Sequence, residues 1–316
     1  GNQRTAVCCL SSLNIDTYDQ WSEDPQFIED VMRFLDNVMT DFINRAPDEF
    51  AHAKYSAMRE RSVGLGVMGL HSYFQQKNIP FGSVMSKVWN KKIFKNIQEK
   101  VDLASVSLAE ERGACPDAAE YGMKERFSNK TAIAPTASIS IICGGSSPGI
   151  EPIAANSYTH KTLSGSFNVR NKYLKKILQK HKKDTDDVWS TITTNQGSVA
   201  HLDFLTPEEK DTFKTAFEID QRWIVELGAD RTPHISQAQS INIFIPADIH
   251  KKDLHDLHFQ AWKKGLKSLY YCRSKSIQRA ENVNKGTSTD VTKNVYSQGQ
   301  ESNNKSNNYE ECLSCQ

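Results

Sequence analysis

The sequence predicts a parallel α/β architecture, on two observations. Short runs of β-branched and small apolar residues alternate with longer stretches of helical periodicity. Gly, Pro, Asn and Asp punctuate the junctions. In such folds ligands gather at loops near the strand ends. Charge narrows the function classes. With 39 basic and 38 acidic side chains among 316 residues, there is no electrostatic footprint for nucleic acid or an anionic membrane. A hydrophobic fraction of 38% supports a large core, in one large domain or two modest ones. No apolar run approaches the ~20 residues that span a bilayer, and no signal peptide opens the chain. Seven cysteines, an odd number without framework spacing, read as reduced cytoplasmic thiols, some of them redox-active. The chain begins with Gly1, which suggests processing or a fragment of something larger.

In chain order, "RTAVCCLSSLNI" reads as a buried strand ending near Asn14. Asp24 caps a helix with Pro25 at its first position, and Phe27, Val31, Leu35, Val38 and Phe42 mark its apolar spacing. "RSVGLGVMGLHSYF" reads as a second helix, whose glycines 64, 66 and 69 let another backbone approach. A third helix runs from about Val84 to Arg112 and stops at Gly113. Residues 131 to 143 read as a strand interrupted at Pro135, followed by a Gly/Ser loop. Thr206, Pro207 and Glu209 form a capping-box signature for a helix lasting to about Gly228. "AQSINIFIP" is a strand, a helix runs from near Asp248 to Lys264, and "LKSLYYC" is another buried strand. From about Arg279 to Gln316, Asn, Ser, Gln, Lys and Thr dominate. That composition buries too little apolar surface to offset ordering entropy, so 279–316 is expected to be a disordered tail behind a 1–278 body.

Four groups of residues carry possible chemistry. Cys312 and Cys315, spaced Cys-x-x-Cys on the tail, suit thiol–disulfide exchange; the alternatives are half of a zinc site or a chance pair. A zinc knuckle lacks two ligands, because the nearest histidine, His258, lies far upstream. A mobile dithiol needs a partner disulfide in the folded body, and Cys8 or Cys9 could supply it. Adjacent residues on a strand face opposite ways, so only one of them serves a given site, and both could equally be small core residues. Thr136, Ala137 and Ser138 offer hydroxyls and backbone N–H groups of the kind that nest a phosphate, or else simply end a strand. Tyr270 and Tyr271 are either packing residues or a redox pair that hops a radical onward.

The stretches "AVCCLSSLNI", "RSVGLGVMGLHSYF", "ERGACP", "IAPTASIS…GIEP", "ISQAQSINIF", "GLKSLYY" and "CLSC" together resemble the C-terminal part of the class I ribonucleotide reductase large subunit, in that family's order. The resemblance implies a ten-stranded α/β barrel built from two parallel five-stranded halves. It also implies reduction of ribonucleoside diphosphates to 2′-deoxyribonucleoside diphosphates by radical chemistry. Residue by residue it makes Cys8 an active-site thiol and leaves Cys9 to packing. Thr136, Ala137 and Ser138 would hold the substrate diphosphate, and Tyr270 and Tyr271 would relay the radical. Cys312 and Cys315 would re-reduce the active-site disulfide and be reduced in turn by thioredoxin or glutaredoxin. No metal is expected in the chain itself, since the radical comes from a metal-containing small subunit. The sequence departs from the family in three respects: the Asn-x-Cys-x-Glu finger loop, the second reducing cysteine and the allosteric specificity site have no counterpart. The expectation is therefore a split large subunit, active only with an N-terminal large-subunit fragment and the small subunit. Two alternatives are a non-catalytic remnant that regulates an intact reductase and a free-standing thiol oxidoreductase.

Overall fold

The computed structural model describes residues 3–162 and 165–274, so Cys312, Cys315 and the 279–316 segment lie outside the described residues. Strand β1 (Cys9–Asn14) opens the chain, followed by the single turn α1 (Tyr18–Trp21), then α2 (Phe27–Arg45) and α3 (Ala51–Glu60). Strand β2 (Val63–Met68) returns beside β1 in parallel, Cys9 opposite Val63 and Asn14 opposite Met68. Next come α4 (Leu70–Gln76), α5 (Val84–Arg112) and α6 (Pro116–Glu120). A third extended segment bridges in parallel from Thr131 to Leu65 and from Ile133 to Gln239. Beyond it lie α7 (Ala137–Ile142) and the hairpin β3 (Ser157–Thr162) and β4 (Gly165–Arg170). Helices α8 (Lys172–Lys180), α9 (Asp186–Thr194), α10 (Pro207–Thr212) and α11 (Gln221–Arg231) follow. The last elements are β5 (Ile243–Ile245), α12 (Lys251–Lys263) and β6 (Cys272–Ser274), with β5 and β6 parallel. Five extended segments thus lie side by side in chain order, all parallel, as the alternation of strand and helix predicts.

Helices back one face of this sheet. Leu13, Val63, Leu65, Val67 and Ile133 point into a core shared with Ile28, Met32 and Leu35 of α2 and Ile93, Ile97 and Val101 of α5. Each such side chain contributes about 1.5–3 kcal/mol on burial. Helix α5 starts with a capping box between Ser83 and Ser86 and ends at Gly113, whose φ of 86° would strain any residue with a Cβ. A smaller core of Leu174, Leu178, Trp189, Ile192, Val199 and Phe213 lies under α8 and α9. The helices are tied together by Asp36 on α2, which is fully buried. Arg61 Nε donates to it at 2.8 Å, Arg126 Nε at 2.9 Å and Arg112 Nη1 at 2.8 Å. Burial pushes the Asp36 carboxyl up, but hydrogen bonds from Arg126 and Arg112 and the charge of Arg61 outweigh it, and the net shift is down.

Several expectations are corrected. "RSVGLGVMGLHSYF" is a strand followed by a helix, because Gly69 turns the chain at φ 83° between β2 and α4. Residues 131–143 are not one strand: Thr136 adopts φ 54°, which ends the extended run and starts α7. The helix expected to last to Gly228 is two, since Asp220 caps a new start at α11 by accepting from Arg222 N. Asp24 does not cap α2; its Oδ1 accepts from Gln26 N, and the helix begins at Phe27. The buried face of α2 is centred on Ile28, Met32, Leu35 and Met39, leaving Val38 exposed. Finally, β6 is exposed throughout, not buried.

Candidate functional site

The extended chain entering β1 separates two adjacent cysteines, Cys8 just before the strand and Cys9 at its first position. Cys9 shares a face with Leu13, is half-buried and packs against the main core, and burial pushes its thiol up. Cys8 shares the opposite face with Leu10 and is exposed. That face carries almost no side chains from β2. A Cβ at Gly64 would lie 2.5 Å from Leu10 Cδ2, 2.9 Å from Ala132 Cβ and 3.2 Å from Cys8 Sγ. A Cβ at Gly66 would lie 2.2 Å from the carbonyl oxygen of Ala132. Glycine at these two positions is what lets the third segment run close to β2 and forms a flat floor against which Leu10 and the Cys8 sulfur pack. Gln237 Nε2 reaches over this floor, donating to Val63 O at 3.0 Å and to Cys8 Sγ at 3.4 Å.

Four residues beyond Ala132, Thr136 begins the second cluster. Four extended residues span about 13 Å, which sets the reach along the chain from Ala132 to the Thr136 turn. Thr136 is a β-branched residue in the left-handed region, a conformation that costs about 1–3 kcal/mol and gathers at functional loops. Its hydroxyl accepts from Gly149 N at 2.7 Å, Ala137 lines a cavity of about 350 Å³, and Ser138 is exposed. The 143–149 loop behind it is fixed from the carboxyl end of β1. Asn14 Nδ2 donates to Cys143 O at 3.2 Å, and Ser146 Oγ donates to Asp16 Oδ2 at 3.1 Å. Ser72 and Ser147 exchange bonds, Ser147 N to Ser72 Oγ at 2.8 Å and Ser72 N to Ser147 Oγ at 3.1 Å. Lys172 and the Tyr173 hydroxyl complete the shell of Asp16.

Tyr270 and Tyr271 form the third cluster. Their ring centroids lie 4.1 Å apart at an interplanar angle of 47°, and the residues are 39% and 44% exposed. Neighbours on a regular strand cannot overlap in this way; here β6 begins only at Cys272. The backbone around the pair is held by Tyr270 N to Ile241 O at 2.8 Å and Tyr271 N to Asn242 Oδ1 at 3.0 Å. Asn242 Nδ2 in turn donates to Glu151 Oε1. Glu151 is 7% exposed, and burial pushes its carboxyl up to about 7 despite the charge of Arg273 and the bond from Asn242.

Sequence reasoning named Cys8, Thr136, Ala137, Ser138, Tyr270 and Tyr271 but missed Gln237, Asn242, Glu151, Asn14 and Asp16 as their supports. Only the motif strings "ISQAQSINIF" and "GIEP" signal the first three. Among the described residues, no three His, Cys, Asp or Glu side chains gather to hold a metal, and no helix is long and apolar enough to cross a membrane.

Residues 2–124 and 117–272 match the family described as "Ribonucleotide reductase, barrel domain". The chain is 49% identical over 284 residues to the ribonucleoside-diphosphate reductase large subunit of Invertebrate iridescent virus 6, covering 89% of this chain and 29% of that protein. It is 31% identical over 314 residues to the ribonucleoside-diphosphate reductase large chain 2 of Saccharomyces cerevisiae, covering 87% of this chain and 36% of that one. Its fold is similar to the Actinobacillus ureae class Id ribonucleotide reductase alpha subunit, with a TM-score of 0.81 at 40% identity over 87% of this chain and 51% of that chain. The chain therefore spans well under two thirds of these relatives.

Proposed function

The chain belongs to the ribonucleotide reductase barrel family, and from that premise we propose that it supplies the C-terminal part of a ribonucleoside-diphosphate reductase active site. The observation that carries this is the open face: Cys8 stands exposed beside Gly64 while its neighbour Cys9 packs into the core. In this reading a ribonucleoside diphosphate places its diphosphate at Thr136, Ala137 and Ser138 and its ribose over Cys8. Cys8 and a second thiol give two electrons and two protons, the 2′-hydroxyl leaves as water, and the two sulfurs close to a disulfide. The constrained backbone of Thr136 supports a ligand-holding loop, since strain of this kind persists where function over-determines it.

Tyr270 and Tyr271 relay the radical from the small subunit, a role their ring overlap suits. The small subunit docks near them, where α12 also exposes Phe259 and Trp262, 51% and 72% accessible. The radical cysteine with its Asn and Glu, and the partner thiol of Cys8, come from an N-terminal large-subunit fragment. Cys312 and Cys315 shuttle electrons from cytoplasmic thioredoxin or glutaredoxin, and the product feeds DNA replication. The polar composition of 279–316 supports that role.

The test reconstitutes the chain with an N-terminal large-subunit half, a small subunit and thioredoxin. Deoxynucleotide should form only in the complete mixture. Cys312→Ser with Cys315→Ser should abolish turnover fed by thioredoxin yet leave turnover fed by a small dithiol. Turnover by the chain alone would refute the need for a complement, and a tail variant still served by thioredoxin would refute the shuttle.

A further inference from the structure

We propose that Gln237 is a catalytic hydrogen-bond donor to the Cys8 sulfur, stabilising it when it departs as a thiolate during re-reduction of the active-site disulfide. This rests on the reading of Cys8 as a redox thiol. The residue is held in place from several sides. Its backbone N donates to Thr131 O at 3.0 Å, and Lys267 Nζ donates to its carbonyl at 3.0 Å. The side-chain Nε2 carries two hydrogens, and its bonds to Val63 O at 3.0 Å and Cys8 Sγ at 3.4 Å use one each. The β2 carbonyl therefore aims the amide at the sulfur without any movement of the chain.

A thiolate accepts such a bond more strongly than a thiol or a disulfide sulfur, so the contact strengthens as negative charge develops. In re-reduction, a thiolate of the incoming dithiol attacks the sulfur joined to Cys8. A bond forms between those two sulfurs, the bond to Cys8 breaks, and Cys8 leaves with the electron pair and then takes a proton from water. The second thiol of the dithiol resolves the mixed disulfide, so the dithiol is oxidised and both site sulfurs are reduced. Because the better-stabilised thiolate leaves faster, Gln237 directs attack to the partner sulfur and away from Cys8.

The contact can be tested on this chain without any partner, by site-resolved alkylation with iodoacetamide at neutral pH. Gln237→Leu should slow labelling of Cys8 by about threefold or more, the loss of one hydrogen bond to the charged form. The exposed Cys143 and Cys272 should label at unchanged rates, and continued protection of the buried Cys115 reports that the variant is folded. Gln237→Glu, close in shape but with an acceptor facing the sulfur, should slow Cys8 further. Unchanged Cys8 labelling in either folded variant would overturn the proposal. In the reconstituted reductase, Gln237→Leu should slow multiple turnover with thioredoxin more than it slows a single turnover from pre-reduced enzyme. A reductase that shows no turnover at all would defeat the functional reading, while the labelling result still decides the contact.

Discussion

The two faces of one parallel sheet follow opposite rules. On the helix-backed face, every position is filled: Leu13, Val63, Leu65 and Val67 interlock with α2 and α5, and the buried Asp36 gathers three arginines from three other parts of the chain. On the other face, Gly64 and Gly66 withhold side chains, Leu10 is 55% exposed, and Cys8 stands open. Stability is concentrated on the first face and the proposed reactivity on the second. A single step in sequence, from Cys8 to Cys9, crosses from one to the other because strand side chains alternate.

That contrast can be broken in several places. The largest effect should come from Cys8→Ser, which in the reconstituted reductase should abolish deoxynucleotide formation while shifting the urea unfolding free energy by no more than about 0.5 kcal/mol. Asp36→Ala should do the reverse in kind, costing about 3–5 kcal/mol in urea unfolding because three arginines lose their shared carboxylate. Gly66→Ala lies between the faces. Its new Cβ would meet the Ala132 carbonyl at 2.2 Å, so the third segment must shift, with a cost of about 1–3 kcal/mol by thermal or urea unfolding.

A subtler test uses pH. Glu151 is raised from 4.5 to about 7 in the folded protein, so its protonated form favours folding. The associated stability is fully present below about 4.5 and is lost as pH rises to about 7. His71 works in the opposite sense, because burial lowers it from 6.5 to about 3 and its contribution is lost as pH falls through that range. Glu151→Gln should remove the first slope and leave the second, measured as unfolding free energy against pH. The smallest effect is expected from Cys9→Ala: about 1 kcal/mol of stability by urea unfolding and unchanged turnover in the reconstituted reductase.

Much of the helix-backed face was legible in the sequence. The limits of α5 follow from its helical pattern and the stop at Gly113, and the Thr206–Glu209 capping box is formed as expected. The errors cluster on the open face and its loops. "VGLGVM" reads as a helix when its glycines are taken for helix packing, whereas they serve strand-to-strand approach, a tertiary demand invisible in a local window. The left-handed Thr136 breaks a run of apparent β-formers at a position where no local residue preference announces it. Tyr270 and Tyr271 are 39% and 44% exposed although their segment looks like a core strand, because burial depends on what lies across the sheet and not on composition. The candidate thiol, loop and tyrosines were found through motif order, while their supports Gln237, Asn242 and Glu151 required distances.

The central claim is that Cys8, and not Cys9, is the thiol spent on the substrate. The direct measurement is a single turnover of a ribonucleoside diphosphate in the reconstituted reductase carrying Cys312→Ser and Cys315→Ser, followed by alkylation and peptide mass mapping. The account predicts that Cys8 disappears from the alkylated pool in proportion to deoxynucleotide formed, captured in a disulfide, while Cys9 keeps its pre-turnover labelling. Cys8 still free after product has formed, or Cys9 consumed in its place, would contradict it.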